Sequence, residues 1–422
     1  MADRQVASPV ESTSTAVKRD VPFFKPDLGE REIDEVVAVL RSGWLTTGPR
    51  VKQFERDFAA TLGAPYALAV NSATAALHLA VEALGVQPGD GVLVPTMTFA
   101  ATAEVLHYMG AHPVLVDCDP VTLNMDLTDA EAAIERCARR ATTDPAARPT
   151  RVVGMIPVHV GGLMMDVGAI RALAERHGLW VVEDAAHAFP AAWRPEAASP
   201  WEYCGSGTGT ITAFSFYANK TITTGEGGMA TTASAALADR MRLMSLHGLT
   251  RDAWDRYSGG RSWDYRIVAP GYKYNLTDVA AAIGIHQLGR AEEMRVAREQ
   301  RALAYLDQLA GVSAVELPPT DANRIHAWHL FPLRLRLDQL SIDRNRFIDE
   351  LRDAGVGCSV HWRPLHLHPY HQEQLAVTPS EYPVATALFE RLVSLPLSST
   401  MSPADVEYVA AVVSDLTRRF RR

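Results

Sequence analysis

Lys220 is the side chain best suited to covalent chemistry. It stands in Phe214-Ser-Phe-Tyr-Ala-Asn-Lys220-Thr-Ile-Thr-Thr-Gly-Glu-Gly-Gly228, a nearly neutral run of aromatics, hydroxyls and glycines that includes Ser215. Lysine is ordinarily a surface residue. In an apolar pocket, or beside another cation, its pKa falls and the neutral amine attacks carbonyl carbons. The glycines let backbone approach a ligand closely. The run fits a solvated lysine and a carbonyl-capturing one alike.

Three further segments hold groups that would complement such an amine. Leu179-Trp-Val-Val-Glu-Asp184-Ala-Ala-His187 is an apolar run ending in two acids and a histidine. Ligands of open α/β sheets sit beyond the carboxyl ends of the strands. A carboxylate there can pair with a protonated pyridine nitrogen and keep that ring an electron sink. Asp184 could equally cap the next helix. His187 fits a structural histidine or a contact to a ring oxygen. In Val70-Asn-Ser72-Ala73-Thr74-Ala-Ala-Leu77, small and hydroxyl residues join a strand to a helix. The free N–H groups of a helix N-terminus bind anions, and simple capping by Ser72 uses the same geometry. Phe99, in Val94-Pro-Thr-Met-Thr-Phe99-Ala-Ala-Thr102, could stack on a flat ring or merely pack.

Positioning these groups requires a frame. Apolar runs at 66–70, 91–95, 113–117, 152–158, 179–183, 212–216 and 228–232 predict strands. Amphipathic stretches at 72–84, 129–139 and 165–177 predict helices between them. Strands alternating with helices predict a mostly parallel sheet covered on both faces. Residues 142–150 and 252–270 read as loops. A long helix over 279–309 would carry the chain into a second part with a strand at 329–337 and helices at 344–354 and 403–418. The expected organisation is a flexible tail (1–20), a large domain (21–290) and a small C-terminal domain (291–422).

Composition narrows the class. The 422 residues carry a formal net charge of −8, with 47% hydrophobic and 21% charged residues. Such a chain is long enough for two domains, and without a basic run nucleic acid is not an expected partner. No apolar stretch is long enough to span a bilayer, and the first 20 residues lack the apolar core of a secretion signal. Cys118, Cys137, Cys204 and Cys358 are widely spaced, which suggests neither a zinc site nor a disulfide framework. A cytoplasmic location and no metal are expected.

Taken together and in order, these segments resemble the DegT/DnrJ/StrS family of sugar aminotransferases over residues 21–417. Ser42-Gly-Trp-Leu-Thr-Thr-Gly-Pro49, Pro157-Val-His-Val-Gly161, Gly271-Tyr-Lys-Tyr-Asn275-Leu-Thr-Asp278, His326-Ala-Trp-His-Leu-Phe331 and Val360-His-Trp-Arg-Pro-Leu-His366 add to the match. The resemblance implies an α/β protein of fold type I: a large, mostly parallel-sheet domain plus a smaller α+β C-terminal domain. It also implies pyridoxal 5'-phosphate as cofactor and a homodimer with shared active sites. By that resemblance Lys220 is the Schiff-base lysine, Asp184 the partner of the ring nitrogen, His187 the contact to the ring oxygen and Phe99 the stacking residue. Ala73, Thr74 and Ser215, with Ser72, match positions that hold the phosphate. Asn275 reaches in from the other subunit, and Arg261 is expected to do likewise. Trp44 and Thr46 lie in a substrate-side loop, and His329, His361 and Arg363 are candidates for the sugar-nucleotide side.

Two departures stand out. Ser72-Ala73-Thr74 replaces the family's frequent Ser-Gly-Thr, and Gly271-Tyr-Lys-Tyr-Asn275 replaces Gly-x-Asn-Tyr-Arg. The latter form is similar to members that aminate carbon 4 of nucleotide sugars. The implied activity is amino transfer from an amino acid such as L-glutamate to a nucleotide-linked keto-sugar. Some relatives carry histidine at the lysine position and dehydrate instead. The alternatives are an aminotransferase for a ketocyclitol or another antibiotic precursor, and a cofactor-binding regulator without catalysis.

Overall fold

In the computed structural model, residues 19–143, 149, 151–250 and 265–422 are described. Among the described residues, nine strands form in the first part of the chain: β1 (Tyr66–Val70), β2 (Gly91–Pro95), β3 (His112–Val116), β4 (Val152–Met155), β5 (Trp180–Asp184), β6 (Ala192–Trp193), β7 (Glu202–Tyr203), β8 (Ile211–Ser215) and β9 (Gly228–Thr232). Seven of them make one sheet in the order β1-β9-β8-β5-β4-β2-β3. From β8 to β3 every pairing is parallel. β9 runs antiparallel to both neighbours. Strands covered on both faces read as continuous apolar runs, and β2 is buried at all five positions.

Helices Ala73–Ala83, Ala101–Tyr108, Leu127–Thr143 and Val167–His177 connect the parallel strands. Two further helices, Glu30–Ser42 and Pro49–Leu62, precede β1. The second buries Val51, Phe54, Phe58 and Leu62 at helical spacing. Its Phe58 ring meets Phe189 at 4.8 Å, Phe214 at 5.2 Å and Phe216 at 5.5 Å. Phe214 and Phe216 belong to the Lys220 segment, so this helix packs directly against it.

The C-terminal part has its own core. β10 (Val315–Glu316), β12 (Phe331–Leu335) and β13 (Leu392–Leu395) form an antiparallel sheet, and helices Arg344–Asp353 and Pro403–Arg419 pack in the same core. β11 (Arg324–Ile325) returns to pair with β6 of the first part. Val21, at the other end of the chain, belongs to this C-terminal core: its N–H donates to the Gly355 carbonyl at 2.8 Å, and its carbonyl accepts from Gly357.

The single helix expected over 279–309 is two helices, Asp278–Gly289 and Ala291–Leu309. The break is at Arg290 (φ −111, ψ 3), whose guanidinium is held by Asp27 at 2.7 Å and Glu32 at 3.4 Å. Tertiary ion pairs win there over helix propensity. The helix Ala291–Leu309 gives Ala291 and Met294 to a core of the first part and Ala302, Tyr305 and Leu309 to the C-terminal core. Of the expected tail, residues 1–18 lie outside the described residues, while Arg19 pairs with Asp405 at 3.0 Å. The helix Leu127–Thr143 takes in the start of the loop expected at 142–150. Much of the rest of that loop and the stretch 251–264 lie outside the described residues.

Candidate active site

β1, β5 and β8 bring their carboxyl ends to one edge of the sheet, as ligand sites of α/β folds require. Gly228, the first residue of β9, pairs with Val70 on one side and Ser215 on the other. A Cβ on Gly228 would lie 2.5 Å from the Ser72 carbonyl carbon and 2.7 Å from the Ala73 nitrogen. Only glycine lets the helix Ala73–Ala83 begin this close to the strand. Ser72 caps that helix, its hydroxyl accepting from the Ala75 N–H at 3.0 Å. The first-turn N–H groups of Ala73 and Thr74 have no carbonyl within the helix to serve them.

A cleft of about 540 Å³ opens at this edge. It is lined by Ser72, Ala73, Thr74, Phe99, Asp184, His187, Ser215, Lys220, His329 and His361, which places ten of the sequence-derived candidates around one space. Phe99 is 62% exposed, an unusual state for phenylalanine, and lines the cleft where a flat partner could stack.

Asp184 closes β5 and is buried. Thr102 donates its hydroxyl to one carboxylate oxygen at 2.8 Å, and the Ala186 N–H donates to the other at 3.1 Å. Burial pushes the Asp184 carboxyl upward, while Thr102, the Ala186 N–H and Lys220 pull against that shift. The neighbouring Glu183 points to a separate brace. It accepts from His159 at 3.3 Å, from Thr212 at 2.8 Å and from Thr208. Burial would raise its carboxyl, but these bonds outweigh it and hold it low. The ligating atoms of His159, Glu183 and Cys204 lie within 4.8 Å of one another. However, His159 uses its second nitrogen to accept the Met165 N–H, so the cluster is already tied up in hydrogen bonds.

Lys220 lies in the connection from β8 to β9, its amine directed among protein groups. Its Nζ is 3.4 Å from His329 Nε2. Burial pulls the amine down to about 8, against the attraction of Asp184 and with help from Arg298. The His187 Nδ1 accepts the Gly161 N–H at 3.3 Å, so its proton sits on Nε2. Its ring stacks on Trp362 at 4.9 Å and tilts against His329 at 4.2 Å. Burial keeps both imidazoles well below the usual histidine range. His361 is anchored by the Ser394 hydroxyl at 2.9 Å.

Other candidates lie elsewhere. Trp44, Thr46 and Asn275 are not among the described residues that line this cleft. They cluster together instead, the Trp44 indole donating to the Thr47 carbonyl at 3.2 Å. The Asn275 amide donates to the Thr47 hydroxyl at 2.7 Å, Thr47 donates to the Leu276 carbonyl at 2.6 Å, and the Thr46 carbonyl accepts the Asp278 N–H. Arg363 faces solvent and donates to the Leu367 carbonyl. Arg261 lies outside the described residues. Sequence reasoning missed Trp362, Tyr217, Asn219 and Glu226, which line the cleft, and Thr102, which donates to Asp184. Each is within three residues of a candidate, or inside the Lys220 segment, and proximity along the chain was the only signal.

The donor set suits pyridoxal phosphate. Asn219 Oδ1 and His329 Nδ1 are buried polar atoms without hydrogen-bond partners. The buried carboxylate calls for a cation, the helix N-terminus for an anion, and the exposed aromatic face for a planar ring.

Comparison with known proteins agrees. A model of the DegT/DnrJ/EryC1/StrS aminotransferase family matches residues 26–414. The spore coat polysaccharide biosynthesis protein SpsC of Bacillus subtilis is 42% identical over 399 residues, covering 94% of this chain and 97% of that protein. Spr1654 of Streptococcus pneumoniae, assigned as a sugar aminotransferase, superposes in its PMP form with a TM-score of 0.84 at 33% identity, covering 95% of this chain and 100% of that one. Its PLP form gives 0.83 at 32% identity, covering 95% of this chain and 99% of that one. The aminotransferase TlmJ of Streptoalloteichus hindustanus gives 0.81 at 31%, covering 94% and 99%. Agreement of this breadth, in sequence and in fold, means that the chain belongs to the DegT/DnrJ/EryC1/StrS aminotransferase family and is a pyridoxal-phosphate-dependent aminotransferase.

Proposed function

We propose that this enzyme moves the amino group of an amino acid such as L-glutamate onto a nucleotide-linked keto-sugar at carbon 4, with Lys220 as the amine that holds the cofactor. The observation that carries the reading is the Lys220 amine, pulled down to about 8 and enclosed between the buried Asp184 and the His329 imidazole.

Bound pyridoxal phosphate would supply an electron-withdrawing ring and a carbon that carries nitrogen between two substrates. Ser72, Ala73, Thr74 and Ser215 would hold its phosphate, Phe99 its ring face, and His187 its ring oxygen through the Nε2 proton. Asp184 would balance a protonated ring nitrogen, held in orientation by Thr102. Lys220 Nζ would move a proton from the α-carbon of the amino donor to the cofactor carbon that carries the nitrogen, and on the sugar side would make the reverse transfer. His361 and His329 would face the sugar.

The nucleotide-sugar and carbon-4 parts rest on the Gly271-Tyr-Lys-Tyr-Asn275 pattern. A homodimer is supported by the cluster of Trp44, Thr46 and Asn275, which is not among the described residues lining the Lys220 cleft and would complete a partner's.

The test is direct. Purified protein loaded with cofactor is incubated with glutamate and a panel of nucleotide-linked 3-keto and 4-keto sugars and ketocyclitols, and products are identified by mass and NMR. A 4-amino sugar nucleotide is expected. Product from the cyclitols alone would replace this substrate assignment. Lys220→Ala is expected to retain cofactor without a covalent link and to lose turnover. Borohydride should trap an adduct on Lys220 in the wild type only.

A further inference from the structure

Behind the cleft lies a buried cation that the chemistry above does not use. Arg298, on the helix Ala291–Leu309, is 4% exposed. Its Nη1 donates to the carbonyls of Leu397 at 2.8 Å and Trp328 at 3.3 Å, and its Nε has no hydrogen-bond partner. Among the described residues it makes no ion pair. A buried charge without a counter-ion is costly, and sites that keep one tend to use it.

The carbonyl it holds is an unusual one. Trp328 sits at φ +48, a region that bulky residues avoid. Its N–H is fixed by His326 Nδ1 at 2.8 Å, and its carbonyl by Arg298. The next residue, His329, donates its N–H to Gly161 at 2.9 Å and presents its ring to the Lys220 amine at 3.4 Å. A strained turn is thus held at both backbone groups, and its product is the placement of one imidazole.

We infer that Arg298 is a positioning residue for Lys220: it fixes the Trp328 turn that sets His329 against the amine. Its charge, beside that turn, acts against the ammonium form of the amine. This rests on Lys220 being the reactive amine, as read above. The groups that face Lys220 set the balance against which Arg298 acts. Asp184, with His159 behind it, favours the ammonium form. The imidazoles of His187, His329 and His361 are kept neutral by burial and offer no counter-charge. Tyr217 and Glu226 lie on the cleft wall. Asp27 opposes Arg298 electrostatically, but its carboxylate is engaged by Arg290 and Ser399.

The experiment is an absorbance titration of the full chain loaded with pyridoxal phosphate, whose visible band reports protonation of the Lys220 nitrogen. Arg298→Met removes the charge in a volume the core tolerates, and Arg298→Gln removes it while keeping a donor for the two carbonyls. Removing a nearby cation should raise the midpoint by about 0.5–1 pH unit in both variants. A midpoint unchanged from the wild type in either folded variant overturns the inference. Lys220→Ala is the control. If it keeps the same titrating band, the assignment of Lys220 fails, and not the role given to Arg298.

Discussion

At Lys220 and Asp184 two groups of opposite preference share one buried space. Burial drives the amine toward neutrality and the carboxyl toward protonation, so each leans away from its charged form before a ligand arrives. A cationic heterocycle placed on Asp184 would restore the carboxylate's reason to ionise. Thr102 is the lever on this pair. Thr102→Val removes one charge-assisted hydrogen bond at nearly constant volume. The expected loss is about 1.5–3 kcal/mol of transition-state stabilisation, read as a tenfold or greater fall in kcat/KM with little change in Tm. Lys220, Asp184, His187 and Phe99 were legible because each carries a chemical type at a strand or loop end. Thr102 and Trp362 were not, because a threonine in a helix and a tryptophan in a loop announce nothing about what they face. Asp184 also shows why capping and catalysis were hard to separate by sequence: its second oxygen does accept the Ala186 N–H, as a cap would.

Among the elements, the sheet was readable to within a residue or two at most positions. β1, β2 and β9 form where their apolar runs stand, while β4 stops three residues short of its run. The run 152–158 is apolar throughout, and past Met155 the chain still bonds Leu93 through Ile156 and Asp184 through Pro157, but no longer as a regular ladder, and apolarity alone cannot mark that break. The antiparallel direction of β9 was also hidden, since strand direction leaves no local mark. Two helices before β1 went unread, although Val51, Phe54, Phe58 and Leu62 carry the helical spacing. Element contact sets a sharp requirement at Gly228. Gly228→Ala places a methyl into the Ser72–Ala73 backbone and must push the helix away from β9. We expect a loss of about 1–3 kcal/mol in chemical denaturation, together with weaker retention of pyridoxal phosphate on dialysis. Full retention would mean that the helix N-terminus does not hold the anion.

Across the whole molecule, buried histidines set the acid limit. Burial pulls His361, His366 and His371 down to about 4 and His326 to about 3. Unfolded histidine titrates near about 6.5. Below that pH the unfolded chain binds more protons than the folded one, so this stabilisation is present above about 6.5 and is lost as pH falls toward about 4. Calorimetric Tm should therefore drop between pH 7 and pH 5; a flat profile would contradict the neutral, buried assignment. Assembly gives a second expectation. If Asn275 serves the partner's cleft, Asn275→Ala and Lys220→Ala proteins, each impaired, should regain activity when mixed and allowed to exchange subunits. One site in such a hybrid combines an intact lysine with an intact asparagine. No gain despite proven exchange would place Asn275 outside the site.

Val21 joins the C-terminal core, and two residues later the Phe23 ring stacks on His361 at 5.5 Å. His361 lines the cleft. The start of the described chain is therefore part of the wall behind the reaction chamber, though it precedes every strand of the main sheet. Anyone trimming this enzyme for crystallisation, or fusing a tag to its front, should leave the stretch from Arg19 to Phe23 intact, because a cut there would be felt at the catalytic pocket rather than at a loose end.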